Sequence, residues 1–304
     1  MKITRLLLIA PLLFAQLGWA SGFHSKLELE SRFDARHEKD PRYQYKVRWQ
    51  PQYQFDTSAW SLHGFVSTGE EFASSYNTIN AQHTQHIYLR RFFARYESQY
   101  GKSEFGVIPT YKGKVASTGL SKDGWITGAR QVYSPTKDIK LEFVVGELAH
   151  LDSPTIRSPQ NLDYVELEVS VDFSEQWSYE LGIDHMLDDN FVRGEIRYHP
   201  ENSETEYAIE LLNNLDTQHS KLVLSNSRNL LINNHEIELF AYYSYVNEAF
   251  GARAELTEDF VDFGHAFTVE LESELIAEWS LSWFSKLKFH QGQSRFQLGL
   301  KLTI

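Results

Sequence analysis

Residues 295–304 read Arg295-Phe296-Gln297-Leu298-Gly299-Leu300-Lys301-Leu302-Thr303-Ile304, with an apolar side chain at every second position and none out of phase. Successive side chains of a strand point to opposite faces, so the run predicts a β-strand with one wholly apolar face. The same period recurs upstream. Trp279, Leu281, Trp283, Leu287 and Phe289 share one face, and Lys286, Lys288 and His290 lie on the other. Val165, Leu167, Val169, Val171 and Phe173 oppose Glu166, Glu168, Ser170 and Asp172. Trp177, Tyr179, Leu181 and Ile183 oppose Glu180 and Asp184, while Val192, Ile196 and Tyr198 oppose Arg193, Glu195 and Arg197.

Each segment has the length that a tilted strand needs to cross a bilayer, about 9–11 residues. Short polar links such as 134–138, 174–176 and 200–203 read as turns between antiparallel neighbours. Aromatic residues make up 14% of the chain, and Trp49, Trp60, Trp125, Tyr133, Trp177, Tyr198, Tyr243, Tyr245 and Trp279 fall at expected strand ends. Such rings suit two interfacial girdles. A soluble β-sandwich also alternates, but so many strands with one charged face exceed what two sheets use. The expected fold class is therefore all-β: a transmembrane, antiparallel, up-and-down β-barrel of about 16 strands, within a range of 14 to 18. The alternation is weakest over 204–246, where Leu222 and Leu224 form a faint strand and Leu230–Asn234 fits loop or strand.

At the N-terminus, Lys2 and Arg5 precede the apolar run Leu6–Phe14, and Gly18-Trp19-Ala20 supplies small residues at the cleavage positions. The run is too short to span a bilayer as a helix. Residues 1–20 are thus expected to be a cleaved secretory signal peptide, and 21–304 a single barrel domain, exported through the periplasm to the outer membrane of a Gram-negative cell. Removing Lys2 and Arg5 lowers the basic count from 29 to 27 against 41 acidic residues, a net of −14. That balance argues against nucleic acid. A mean hydropathy of −0.42 fits strands that alternate lipid-facing and lumen-facing residues. The chain has no cysteine, so neither disulfides nor a thiolate zinc site is available.

One segment breaks the alternation. Strict period two over His86–Ser98 would place Arg90 or Arg91 against lipid, at a cost of about 2–4 kcal/mol near midplane. A β-bulge at Arg90-Arg91 removes the conflict, turning Ile87, Leu89, Phe92, Ala94 and Tyr96 outward and Arg90, Arg91 and Arg95 inward.

With its leader, aromatic-capped alternating strands, short turns and apolar last strand, the chain resembles the outer-membrane porin class in architecture, over essentially all of 21–304. The resemblance implies contact with outer-membrane lipid and lipopolysaccharide, assembly by the barrel-insertion machinery, a homotrimer, and no cofactor. The class usually ends on an aromatic residue, and Ile304 departs from that. Porins also commonly fold an external loop, often the third, into the lumen. Here the third external loop is expected at about Thr110–Gly124, with Lys112, Lys114, Lys122 and Asp123, as a candidate constriction or, equally, a simple solvated extracellular loop.

The inward faces carry the functional signal. Lys46, Arg48, Arg90, Arg91, Arg95 and Arg130, joined across the closure by Lys286, Lys288, Arg295 and Lys301, form an expected basic arc. Glu166, Glu168, Asp172, Glu180, Asp184, Glu236, Glu238, Glu270 and Glu272 form an acidic one. Two such arcs across water set up a transverse field that orients small polar or charged solutes. The leading expectation is a porin-like passive channel and no enzyme, with an anionic saccharide as one candidate cargo. Against the open pore stands the same set of charges pairing across the lumen as a network that fills the barrel. A non-conducting structural or partner-docking barrel is the second expectation. A hydrolase, through His150 with Asp152 or His185 with Asp184, Asp188 and Asp189, is the third. The group Asp184, Asp188, Asp189 and Asn190 lacks the spacing of a calcium loop, and no catalytic or metal-binding residue is assigned.

Overall fold

The computed structural model describes residues 22–80, 87–110, 118–148, 158–233, 235–250, 253 and 263–304. The expected leader, Lys112, Lys114, His150 and Asp152 lie outside the described residues.

Seventeen strands follow one another: β1 (Phe23–Arg36), β2 (Lys39–Gln54), β3 (Trp60–Thr68), β4 (Asn77–Thr78), β5 (Ile87–Ser98), β6 (Gly101–Pro109), β7 (Trp125–Thr136) and β8 (Ile139–Glu147), then β9 (Tyr164–Asp172), β10 (Trp177–Met186), β11 (Asp189–Tyr198), β12 (Glu206–Asn214), β13 (Ser220–Ile232), β14 (His235–Val246), β15 (Gly264–Ile276), β16 (Leu281–His290) and β17 (Gln293–Thr303). Each long strand pairs antiparallel with the next, and β17 returns to β1, which gives a closed barrel of 16 strands. The last residue helps to close it, since Leu27 and Ile304 exchange backbone hydrogen bonds of 2.8 Å each way. The weakly alternating stretch 204–246 holds three regular strands, with Leu230 and Leu231 inside β13.

An even ring puts both termini at one end. The connections at that end are the short ones: 55–59, 99–100, 137–138, 173–176, 199–205, 233–234 and 277–280. At the other end the longer connections, 69–86, 110–124, 148–163 and 247–263, alternate with tight hairpins. In one of these hairpins Gln291 and Gly292 take φ of 44° and 79°, the left-handed pair that a two-residue turn needs to match strand twist.

Polarity runs inside out. Along β9 and β10, Leu167, Leu181 and Ile183 are about half exposed, whereas the intervening Glu166, Glu168 and Asp184 are buried. A soluble sandwich would reverse that order, because burying apolar rather than charged area drives its folding. An apolar band on the outside and charge within is the arrangement that lipid requires of a barrel.

The bulge falls on the expected arginines. Leu89 pairs with Val66 and Arg91 with Phe65, so Arg90 is the extra residue. Ile87, Leu89, Phe92 and Tyr96 are exposed, and Arg90 and Arg91 are buried.

Two aromatic assignments need correction. Trp125 is only 3% exposed and packs inward, 4.7 Å from the ring of Phe72 in the loop after β3. Trp279 lies in a 3-10 turn, Ala277–Trp279, rather than on a strand face. In both cases alternation fixed the strand, but the strand end left the direction of the ring open.

Candidate functional site

The described part of the third long-end loop runs inward. Thr118, Leu120, Ser121 and Asp123 are all buried, as is Thr110 at its root, whose hydroxyl donates to the Ser121 carbonyl at 2.5 Å. At one end of the run the Thr118 hydroxyl donates to Glu210 on β12. Arg253, from the loop after β14, donates to the Thr118 carbonyl at 3.1 Å and pairs with Asp184 on β10 at 2.8 Å. At the other end Asp123 accepts from Arg48 on β2 at 2.6 Å and from Ser75 at 2.7 Å.

These anchors are nearly diametric. β2 is second and β12 eleventh in the ring of 16, nine steps apart one way and seven the other. A ring of this size is roughly 30 Å across between backbones. The run from Thr118 to Asp123 turns at its end, where the Gly124 N–H donates to the Ser121 carbonyl at 3.0 Å, so it spans less than its extended limit of about 17 Å, and the side chains of Arg48, Arg253 and Glu210 reach in from the walls to meet it. The segment is therefore a strut across the lumen.

The loop after β3 fastens the β2 end of the strut. Arg90 donates to the carbonyls of Thr68 at 3.2 Å and Ser74 at 2.7 Å, and also to that of Gly69. The Tyr76 hydroxyl donates to Glu30, while the Arg32 guanidinium lies 3.4 Å from the Tyr76 ring centre. Burial, then Glu30, pushes the Tyr76 phenol above its ordinary value, so it stays a donor. For Asp123, burial alone would raise the carboxyl. Arg48 and Lys46, with hydrogen bonds from Ser75 and Arg48, outweigh it and hold the group well below the usual carboxylate range.

The predicted arcs occupy inward or mouth positions, but neither is of one sign. In the basic arc, Lys46 pairs with Glu30 at 2.6 Å and Arg48 with Glu28 at 3.0 Å. Arg95 and Arg130 each bond Glu104 at 2.8 Å, and Arg130 also meets Glu142 at 2.6 Å. Arg91 lies over the Phe65 ring at 3.9 Å. Lys286 pairs with Glu270 at 2.9 Å, and Lys288 stands opposite Arg295 in register. In the acidic arc, Arg193 bonds Glu168 at 2.7 Å and also reaches Glu180, which Arg197 approaches at 3.6 Å. Glu166 accepts from the Tyr164 hydroxyl at 2.7 Å. Asp172, Glu236 and Glu238 are exposed at the short-turn end. Lys301 bonds Glu272, and Arg295 pairs with Asp34 at 2.7 Å.

The physical reason is neighbourhood. Residues opposite each other on adjacent strands lie about 5 Å apart, and a buried charge left alone costs several kcal/mol. The partners Glu28, Glu30, Glu104 and Arg193 were visible as inward positions once the phase of each strand was known. Ser75, Tyr76 and Arg253 were not, because loops carry no period.

The hydrolase pairing does not form at His185. Asp184 faces inward to Arg253, whereas His185 is on the other face of β10 and its Nδ1 lies 3.0 Å from Asn190 Oδ1. Among the described residues no group of three His, Asp or Glu could hold a metal ion.

No family profile matches the sequence, and no curated protein matches it either. Solved structures do. A mutant of Rh. blastica porin superposes with a TM-score of 0.66 at 7% identity, over 93% of this chain and 100% of that one. A triple mutant of Rhodopseudomonas blastica porin gives 0.65 at 7% over the same shares. A loop-deletion mutant of OmpT, an outer membrane protein of Vibrio cholerae, gives 0.56 at 12%, over 93% and 99%. Identities so low speak for the fold alone, and the fold they share with this chain is the closed 16-stranded antiparallel barrel of porin-like architecture.

Proposed function

We propose that the protein is an outer-membrane, porin-like channel for the passive passage of small polar or charged solutes. The observation that carries this reading is the inside-out barrel with a charge-lined lumen narrowed by the strut from Thr118 to Asp123. A wall of alternating Lys, Arg, Glu and Asp offers a hydrated solute hydrogen bonds of either sign. A strut fixed at both walls sets the size limit. The mixed signs support passage of both cations and anions, so strong preference for an anionic saccharide is not favoured. The leader 1–20, the homotrimer and assembly by the insertion machinery belong to this reading.

Purified barrel added to a planar bilayer is expected to give stepwise ionic currents with weak selectivity at the reversal potential. Absence of any step at every voltage would overturn it. A second reading has its own support. Glu195, Lys221 and Thr268 on the inner wall are essentially inaccessible, as they would be in a barrel occluded at that height. That reading expects no current from a correctly folded, heat-modifiable protein.

A further inference from the structure

At the short-turn end, β13 and β14 outrun one neighbour. The ladder between β12 and β13 stops at Glu206 opposite Ser227, yet β13 continues to Ile232, paired with β14 down to Ile232 opposite His235. The ladder to β15 stops at Glu238 opposite Glu272, and beyond it the Ser273 hydroxyl donates to the Glu236 carbonyl at 2.6 Å, so the β15 side is partly covered. The β12 side is open. Along Arg228–Ile232, about 17 Å of strand, the hydrogen bond across that edge among the described residues is a side-chain one, from Asn229 to Glu204 at 3.0 Å. Alternate backbone N–H and C=O groups there point at solvent.

The edge is also apolar. Leu231 is 75% and Ile232 51% exposed. An exposed apolar edge is a template for another chain, and natural edges are usually blunted by lysine, proline or a bulge. Lysine, proline and a bulge are absent from Arg228–Ile232, and the one charge on the segment is the exposed Arg228 at its start. The surroundings are strongly acidic instead: Glu201, Glu204, Glu236, Glu238, Glu274 and Glu278 are exposed around the hairpin, and Glu236 and Glu238 stand directly opposite Leu231 and Asn229.

We propose that the Arg228–Ile232 edge of β13 is a strand-addition site for an extended, lysine- or arginine-bearing segment of another protein. The partner's backbone completes the ladder, an apolar side chain meets Leu231, and its cations meet the glutamates. The acidic collar selects the occupant. A second copy of this hairpin would bring like charges together, and a membrane surface bearing anionic headgroups would be repelled. With the short turns on the periplasmic side, as an outer-membrane barrel of the proposed kind has them, the site faces the periplasm, but its chemistry is independent of conduction.

The test uses whole barrel folded in detergent, with folding checked by heat-modifiable migration. The probe is a labelled peptide of about ten residues alternating lysine and valine, a typical strand length, read by fluorescence anisotropy at low salt. Saturable binding is expected. Methylating alternate backbone nitrogens of the peptide is expected to weaken binding about tenfold or more, and so is the double variant Glu236→Gln/Glu238→Gln. Equal binding of the methylated peptide would show charge attraction alone and overturn the proposal, as would no binding at all. Leu231→Trp barrel in vesicles, if shielded from an aqueous quencher without peptide, would make lipid the occupant and overturn it too. None of these results bears on whether the barrel conducts.

Discussion

Asp123 is the residue on which the lumen geometry turns, because its carboxylate holds the strut to β2 through Arg48 and to the loop after β3 through Ser75. The folded group titrates below its unfolded value of about 3.9, so its contribution is complete above that pH and fades as acid carries the solution down through the folded value. Single-channel recordings are therefore expected to be quiet from neutral pH to about 5 and noisier near pH 2–3. Asp123→Asn should be noisy at neutral pH and show no such acid step. At the other anchor, Arg253→Ala leaves the buried Asp184 without its cation, which costs about 3–5 kcal/mol in a dry interior and less where water enters. A lower midpoint of thermal unfolding and larger open-channel fluctuations are the expected readouts. Removing Arg197, itself about a quarter exposed, should cost less, because Arg193 stays 3.5 Å from the buried Glu195.

Elements differ in how much they can absorb. Gly106, Gly128 and Gly146 stand side by side in register on β6, β7 and β8. A Cβ on Gly128 would meet the Val145 carbonyl oxygen at 2.1 Å, so the strands approach there more closely than any side chain permits. Gly128→Ala is expected to lower the heat-modifiable fraction after refolding, with a cost of about 1–3 kcal/mol. On the lipid face, Leu167→Lys should cost about 2–4 kcal/mol near midplane, while the adjacent lumen substitution Glu168→Gln should cost less and change ion selectivity instead. Urea titration of the two variants in vesicles separates these outcomes. The strands, the bulge at Arg90-Arg91 and the inward position of Glu168 were all legible in the sequence, since period two assigns a face to each residue. The partner of Glu168 was not. Arg193 lies 25 positions away and meets it only because β9 and β11 flank β10. Phe72 against Trp125 is harder still, because nothing local tells a loop which way to fold.

On the scale of the whole molecule, the loop after β3 is part of the wall as well as of the lumen. β3 stops at Thr68, and the upper edge of β2 is continued by β4, with Gln44 and Tyr45 opposite Thr78 and Asn77 and the Ile79 N–H on the Tyr43 carbonyl at 2.9 Å. The same loop supplies Ser75 to the strut and Tyr76 to Glu30. Gatekeeper and masonry are thus one piece: whatever pulls this loop outward to widen the mouth also unzips a seam that lipid would enter. In the proposed channel, opening this mouth therefore carries a leak risk at the flank, and releasing the far end of the strut at Thr118 while its β2 anchor holds is the expected way to admit a larger solute.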